Sequence, residues 1–226
     1  MSSNGSVAAA TVLAAPPLPR GRHKLPVEVV RASQRDRLLT AMLDAVAERG
    51  WQATTVPQIV AAARVSRNAF YELFTDKTDC FLALSDQLAG EILAEFTASG
   101  GDDWLSALRL GTGRYLRWWQ ERPAFSRTYF VELPTAGTRA VEQRDRQYAR
   151  FRELFEALAS WARQQQPDLP ALRPLATRTI VVTVTELIAE EVRAGQTDRL
   201  TDLEDELVYL VTLLLADEAT ARGVLR

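Results

Sequence analysis

Apolar residues recur every three or four positions along most of the chain, which is the spacing of helices with one buried face. No stretch keeps the strict alternation of apolar and polar residues that is typical of half-buried strands. We therefore predict an all-α fold. Capping residues and glycine or proline breaks place the helices at about residues 33–50, 55–63, 66–74, 76–97, 102–121, from 123, 138–166, 171–194 and 198–221.

The second and third predicted helices are short and are separated by a tight turn. Thr55 and Gln58 have the spacing of a capping box at the start of the second helix. Ser66 can cap the third helix by accepting hydrogen bonds from its first backbone N–H groups. Val65 and Phe70 flank that cap at the spacing of a hydrophobic staple, which fixes the direction in which the chain enters the helix. The pattern predicts a helix-turn-helix motif.

The third predicted helix has one apolar face, formed by Phe70, Leu73 and Phe74. Its other face carries the polar residues Arg67, Asn68, Tyr71 and Glu72. In the major groove of DNA, arginine pairs with guanine and asparagine with adenine, while glutamate can accept from cytosine. A solvated residue at the rim of the site is the alternative interpretation of Glu72. The helix therefore suits the major groove.

Residues 33–81 resemble the DNA-binding region of the TetR family of transcriptional regulators. The resemblance rests on Thr54-Thr55-Val56, Ile59, Ala62-Ala63, Val65-Ser66, Phe70-Tyr71, Phe74, Asp76-Lys77 and Cys80-Phe81. It implies an N-terminal three-helix DNA-binding domain and a C-terminal helical bundle that binds a ligand and dimerises. We expect a disordered arm at residues 1–32, the helix-turn-helix domain at 33–80 and the ligand-binding and dimerisation domain at 81–226.

The resemblance also implies roles for individual residues. Arg67 and Asn68 correspond to base-reading positions, and Tyr71 and Lys77 to phosphate anchors, with Thr55 as a third anchor. The full set of candidate DNA-binding residues is Thr55, Arg64, Ser66, Arg67, Asn68, Tyr71 and Lys77.

Two positions depart from the family pattern. Arg64 replaces the glycine of the turn, so that the backbone either takes a left-handed conformation at a cost of about 1 kcal/mol or avoids it. The Arg64 side chain can also reach a phosphate. Ala69 replaces a threonine, which removes a hydroxyl and leaves a methyl group that can meet a thymine.

Charge is distributed unevenly. Residues 20–80 hold ten basic and seven acidic side chains, whereas residues 81–226 hold seventeen basic and twenty-two acidic ones. A basic DNA-binding end is consistent with this asymmetry. The segment 20–24, Arg-Gly-Arg-His-Lys, is either a solvated linker or an arm that touches DNA.

Aromatic residues are concentrated in the second half, where four of the five tryptophans lie between residues 104 and 161. They form either the hydrophobic core or the wall of a site for an apolar or aromatic molecule. The ligand-binding candidates are Trp104, Tyr115, Trp118, Trp119, Phe125, Tyr129, Phe151 and Phe155. Gly111 and Gly113, inside one predicted helix, indicate a close helix crossing or a kink.

The last two predicted helices are apolar on more than one face, at residues 179–189 and 206–216. Such helices bury their outer faces most simply against a second copy of the chain. The resemblance also implies dimerisation through these helices.

The sequence excludes several chemistries. His23 is the single histidine and Cys80 the single cysteine, so a Ser-His-Asp triad, a disulfide framework and a Cys-rich metal site are not expected. We predict no enzyme activity, no cofactor, no metal, no membrane span and a cytoplasmic location. Cys80 is interpreted as a packing residue, with a thiol sensor beside Lys77 as the alternative.

These patterns together predict a dimeric, sequence-specific DNA-binding regulator. We expect a repressor that binds a pseudo-palindromic operator and is released by a small hydrophobic or aromatic effector. The alternative is a regulator without an effector, which a protein partner controls.

Overall fold

A computed structural model describes residues 26–98, 100–133 and 137–224. Within these ranges the structure consists of helices and connecting turns and has no strand, which confirms the all-α prediction. The chain divides into two compact units, one that ends at Ser85 and one that begins at Asp86. The segment 20–24 with His23 lies outside the described residues.

The first unit is built on three helices and the beginning of a fourth. They are α1 (Val27–Ala53), α2 (Val56–Ala63), α3 (Arg67–Leu73) and α4 (Lys77–Ala98), of which the residues up to Ser85 belong to this unit. α1 packs against both α2 and α3. The fully buried centre of the unit consists of Leu38, Leu39, Met42, Val46, Ile59, Phe70, Cys80, Phe81 and Leu84.

Helix α1 begins earlier than predicted. Its first residue is Val27, directly after Pro26, and Ser33 lies inside the helix instead of capping it. The predicted disordered arm, residues 1–32, is therefore helical from Val27 onward, and its residues 1–25 lie outside the described ranges. The fixed φ of Pro26 suits the residue before a helix, and the following residues contain no breaker. Gly50 interrupts the helix with a φ of 76°, as its position predicts.

Among the described residues, the second unit holds the end of α4 and six further α-helices. They are α5 (Trp104–Gln120), α6 (Pro123–Arg127), α7 (Thr138–Gln165), α8 (Ala176–Arg193), α9 (Glu204–Leu215) and α10 (Glu218–Val224). A π-helical segment (Thr128–Glu132) continues α6, and a 3₁₀ segment (Thr197–Leu203) precedes α9. Apolar residues of α4, α5, α7, α8 and α9 form the core, including Phe96, Trp104, Phe155, Ile180 and Val211.

Three predicted boundaries in this unit are wrong. α5 begins at Trp104 instead of residue 102, because the Asp103 carboxylate caps it by accepting from the backbone N–H groups of Leu105 and Ser106. α8 begins at Ala176 instead of residue 171, since Pro174 disfavours a helical residue before it. The predicted helix 198–221 is three segments, because it starts as a 3₁₀ segment and Ala216 leaves the helical conformation at φ −124° and ψ −108°.

The two glycines of α5 leave space for side chains of neighbouring helices that pack against them. A Cβ at Gly111 would lie 2.6 Å from Cζ of Phe96, which belongs to α4. A Cβ at Gly113 would lie 2.6 Å from the carboxylate of Glu204, the first residue of α9. Larger residues at either position would push these neighbours away.

None of the described helices has both the length and the apolar character needed to cross a lipid bilayer.

Candidate functional site

The start of α2 is fixed by the predicted capping box. The backbone N–H of Thr55 donates to Oε1 of Gln58 at 2.9 Å, and the Thr55 hydroxyl donates to the same oxygen at 2.8 Å. Ile59 and Ala63 are buried on the inner face of the helix. Thr55 itself is exposed at the N-terminal end of α2, where backbone N–H groups and the helix dipole favour an anion such as phosphate.

The turn between α2 and α3 takes the left-handed conformation at Arg64. Its φ is 52° and its ψ is 45°, and it is the one non-glycine residue with positive φ among those described. The N–H of Val65 donates to the carbonyl of Val60 at 3.1 Å, which closes the helix end in the manner of a left-handed cap. Arg64 therefore adopts the left-handed conformation, which is the strained one of the two predicted alternatives. The Arg64 side chain is exposed.

Helix α3 is held by the cap and the staple that its sequence predicts. Oγ of Ser66 accepts from the N–H of Ala69 at 3.1 Å. Val65 and Phe70 are both buried, and the Phe70 ring lies 5.6 Å from that of Phe74. Leu73 is half-buried. The apolar face is therefore anchored in the first unit, which fixes which side chains point outward.

The outward face of α3 carries Arg67, Asn68, Tyr71 and Glu72, all exposed. The guanidinium of Arg67 lies 5.6 Å from the centre of the Tyr71 ring. Glu72 lies 3.6 Å from the guanidinium of Arg31, a pair that is largely exposed on both sides. This partner offsets part of the repulsion that Glu72 would exert on a phosphate. The face thus presents a guanidinium fork, an amide and a phenol from one rigid helix.

Lys77 has a structural role that the sequence did not indicate. Its ammonium group donates to the carbonyls of Trp51 and Thr54, both at 2.9 Å. It also lies 4.3 Å from the centre of the Trp51 ring, a favourable cation–π distance. The lysine therefore ties the start of α4 to the turn before α2. The phosphate contact predicted for Lys77 stays a prediction.

Trp51 and Cys80 lie in the interior of the first unit. The Trp51 ring packs against that of Phe81 with 5.3 Å between centres, which joins the end of α1 to α4. Cys80 is fully buried, and burial raises the pKa of its thiol to about 12. A neutral, buried thiol reacts slowly with oxidants, so packing is favoured over the sensor alternative.

The eight aromatic candidates in the second unit do not form a single site. Trp118, Trp119, Phe125 and Tyr129 pack against one another with Phe130, and Tyr115 bridges Trp119 and Phe151. Trp104 and Phe155 lie instead in the packed core, which gives them a packing role in place of the predicted ligand contact. Tyr115 and Trp118 border a recess of about 10 Å³, which is too small for anything but one water molecule.

A larger cavity, of about 170 Å³, lies between the π-helical segment, α7 and α8. Of the eight candidates, only Tyr129 lines it. The other lining residues are Phe130, Leu133, Ala140, Val141, Gln143, Arg144, Gln147, Tyr148, Thr185, Glu186, Ala189 and Arg193. The cavity therefore combines an aromatic wall with several polar and charged groups.

Gln147 is the most buried polar residue of this cavity, with 1% of its surface exposed. The hydroxyl of Tyr129 donates to Oε1 of Gln147, which sets the orientation of the amide. Burial raises the pKa of Tyr129, so that its hydroxyl keeps its proton and remains a donor. Nε2 of Gln147 is buried and has no hydrogen-bond partner in the described part of the chain.

The sequence contains one signal for this cavity, in the spacing of two glutamines. Gln143 and Gln147 are one helical turn apart, in line with the apolar Ala140 of α7, so two amides stand on a face that should be apolar. Charged residues lie at the cavity as well. Arg193 and Glu186 form an ion pair at 2.5 Å, and the Arg144 guanidinium lies 5.6 Å from the centre of the Tyr148 ring.

Among the described residues, no group of three or more histidine, cysteine, aspartate or glutamate side chains is arranged to hold a metal ion.

Comparison with known proteins supports the DNA-binding interpretation. Residues 38–84 match the sequence profile described as "Bacterial regulatory proteins, tetR family". This range contains α2, α3 and the caps that hold them. No curated protein sequence is significantly similar to the whole chain.

Solved structures share the fold over most of the chain. The fatty acid degradation regulator FadR from Bacillus halodurans is 19% identical, with a TM-score of 0.68 over 80% of this chain and 94% of that one. FadR from Bacillus subtilis, solved in complex with stearoyl-CoA, is 16% identical, with a TM-score of 0.66 over 80% and 97%. RolR, solved with resorcinol, is 14% identical, with a TM-score of 0.61 over 87% and 95%.

The helix-turn-helix motif and the exposed polar face of α3 are the features of a DNA-binding regulatory domain. The profile match shows a tetR-family regulatory domain at residues 38–84, and the likeness of the chain to solved structures shows the shared fold.

Proposed function

We propose that the chain is a homodimeric, sequence-specific repressor that leaves its operator when a small hydrophobic or aromatic effector binds. The observation that carries the proposal is the exposed pair Arg67 and Asn68 on a helix fixed by the Ser66 cap and the buried Phe70. Rigid presentation matters because base reading requires side chains held at a fixed depth in the major groove. Such a protein would act in the cytoplasm, where the bacterial chromosome lies.

The division of labour follows the two parts of the sequence. Residues 33–80 would bind DNA, with Arg67 and Asn68 on bases and Thr55, Arg64, Ser66, Tyr71 and Lys77 on or near phosphates. Residues 81–226 would bind the effector and dimerise. The exposed positions of Thr55, Arg64 and Tyr71 support these roles.

Exposed apolar residues on the last long helices support the dimer. Leu175, just before α8, is 65% exposed, Val182 of α8 is 48% exposed and Leu213 of α9 is 37% exposed. Residues of this kind gain the most from burial against a second copy. In a two-fold dimer, two recognition helices would enter successive major grooves, about 34–36 Å apart, on a pseudo-palindromic operator.

The cavity between the π-helical segment, α7 and α8 supports the response to an effector. Structures of the same fold bind small molecules, since one FadR was solved with stearoyl-CoA and RolR with resorcinol. An effector here would favour a dimer whose two recognition helices no longer match the operator spacing. Control by a protein partner, without an effector, is the competing function.

The experiment that tests the proposal is binding of the purified chain to DNA upstream of its own coding region, by fluorescence anisotropy at several salt concentrations. We expect log K to fall steeply with log salt, by about 0.9 for each phosphate contacted. Binding without salt dependence, or none at all, would contradict DNA binding. Sedimentation equilibrium should show a dimer, and a monomer at micromolar concentration would exclude this mode of operator recognition.

A screen of hydrophobic and aromatic compounds, followed by tryptophan fluorescence, separates the two modes of control. A compound that binds and also lowers the affinity for DNA supports the effector. A chain that binds DNA but responds to no compound would favour the protein partner.

A further inference from the structure

We propose that the cavity between the π-helical segment, α7 and α8 is the effector site and that its ligand is a small monocyclic aromatic acid. An oxygen of the ligand would accept a hydrogen bond from Nε2 of Gln147, and its carboxylate would lie toward Arg144. The inference rests on the proposed effector response and adds the location of the site and the chemical class of its ligand.

The size of the cavity limits the ligand to about one ring. Its volume is about 170 Å³, close to the roughly 150 Å³ of engineered apolar cavities that hold one benzene molecule. Sites for larger, drug-sized ligands usually have about 300–1,000 Å³. A long acyl chain or a multi-ring compound would extend beyond the cavity.

The wall of the cavity favours an aromatic ring. Tyr129 and Phe130 are consecutive residues of the π-helical segment, and both line the cavity, with 5.0 Å between their ring centres. π-Helical turns are rare and occur frequently at functional sites. The Trp119 ring supports both from behind, at 4.9 and 4.5 Å from their centres. Fixed rings of this kind provide edge and face contacts for another ring.

Gln147 provides the polar specificity. Its Nε2 is a buried donor without a partner in the described chain, and such groups are costly unless a ligand or water accepts from them. The Tyr129 hydroxyl donates to Oε1 of the same amide, and in this orientation Nε2 is the amide group left without a partner. The cavity therefore offers a donor at this point and requires an acceptor.

Among the residues that line the cavity, the charges favour an anion over a cation. Arg193 is paired with Glu186 at 2.5 Å, so these two opposite charges largely cancel. Arg144 lies 3.8 Å from Asp145, which does not line the cavity, and both side chains of this pair are about half exposed or more. An exposed pair is weak, so Arg144 can turn to a carboxylate. A carboxylate also accepts the strongest hydrogen bonds from an amide N–H.

The test is calorimetric titration of the full chain with benzoate, benzamide and benzylamine, which have one ring and differ in charge. We expect benzoate to bind more tightly than benzamide, and benzylamine to bind at least tenfold more weakly than benzoate. Benzylamine binding as tightly as benzoate, or no binding of any of the three at millimolar concentration, would overturn the inference.

Two variants on the same helix locate the site. Gln147→Leu keeps the approximate volume and removes the donor, so benzoate affinity should fall about tenfold or more. Gln164→Leu makes the same change at an exposed position of α7 outside the cavity and should leave affinity unchanged. Equal affinity in the wild type and Gln147→Leu would place the ligand elsewhere. If Gln147→Leu does not fold, Arg144→Gln replaces it, with an expected loss of about fivefold or more.

The DNA-binding assay separates failure of this inference from failure of the proposed function. If another compound releases the chain from DNA and Gln147→Leu responds to it normally, the chain responds to an effector, but the effector does not bind in this cavity. If benzoate binds through Gln147 and DNA affinity does not change, the cavity is a ligand site, but its ligand does not release the chain from DNA.

Discussion

The guanidinium of Arg37 closes the turn at Arg64, since its Nη1 donates to the carbonyl of Arg64 at 3.4 Å and to that of Ala63 at 3.3 Å. Both carbonyls belong to the end of α2, where no further turn of helix can satisfy them. An arginine of α1 therefore helps to hold a backbone conformation that would normally belong to glycine. The angle between α2 and α3 depends on this turn.

We expect Arg64→Gly to raise the free energy of unfolding by about 0.5–1 kcal/mol. Relief of the left-handed strain contributes about 1–2 kcal/mol, and the greater entropy of glycine in the unfolded chain offsets about 0.5–1 kcal/mol of it. Urea denaturation followed by circular dichroism measures the change. Arg64→Ala is the matched control, because it removes the same charge but keeps the strain. An equal gain in both variants would show that charge, not conformation, limits stability.

Lys77→Met should lower both stability and DNA affinity. The ammonium donates to the carbonyls of Trp51 and Thr54, so its loss should cost about 1–3 kcal/mol in urea denaturation. In the proposed function, its charge would also act on a phosphate while it makes these bonds. We therefore expect the slope of log K against log salt to become shallower by about 0.9. If stability falls but the slope of log K against log salt is unchanged, Lys77 has a structural role and makes no phosphate contact.

The local rules of helix capping account for most of what the sequence predicted correctly in the first unit. Thr55 with Gln58, and Ser66 with Ala69, make the expected contacts because these bonds involve residues only three positions apart. Gly50 ends the regular part of α1 for the same local reason. The polar face of α3 followed from the burial of Phe70 on the opposite side.

Features that depend on distant partners could not be predicted in this way. The bonds of Lys77 join residues 23 and 26 positions apart. The cavity required α7, α8 and the π-helical segment to be placed together, and aromatic content alone pointed to Trp104, which the core buries. Ser33 has a side chain that can cap a helix, but α1 already begins directly after Pro26 and continues through Ser33. The residues between them favour the helix. Capping residues show where a helix can begin, not where it must.

Gly111→Ala and Gly90→Ala should change stability in opposite directions. A Cβ at Gly111 would collide with the ring of Phe96, whereas one at Gly90 would meet nothing within 4 Å. We expect Gly111→Ala to cost about 1–2 kcal/mol, since overpacking outweighs the gain in helix propensity. Gly90→Ala should gain up to about 1 kcal/mol. Thermal denaturation measures both, and stabilisation by Gly111→Ala would mean that Phe96 moves aside freely.

Cys80 should resist thiol reagents in the folded protein. Burial, and secondarily Asp79, raise its pKa from 9.0 to about 12, so almost no thiolate exists at pH 8. Because the folded pKa is the higher one, this contribution to stability is complete below about pH 9 and is lost as the pH rises toward 12. Labelling by iodoacetamide at pH 8 should be slow until denaturant is added. Rapid labelling of the native chain would indicate local opening around α4.

Arg67→Ala and Asn68→Ala should each relax the sequence preference of DNA binding. Both side chains lie on the exposed face of α3, and each lost base contact typically costs about 1–3 kcal/mol. Selection of binding sites from a random DNA library measures the change directly. We expect Arg67→Ala to lose a preference for guanine and Asn68→Ala to lose one for adenine, because these are the bases that the two side chains pair with.

A control variant and the salt dependence make this result specific to base reading. Arg173→Ala removes an exposed arginine from the second unit and should leave the selected sequence unchanged. Loss of affinity for every sequence alike, with an intact preference, would instead make Arg67 a phosphate contact, and the salt slope would then become shallower by about 0.9. Asn68 carries no charge, so its variant should keep the wild-type slope. If Asn68→Ala keeps the wild-type sequence preference, the base contact is made at another position of the recognition helix.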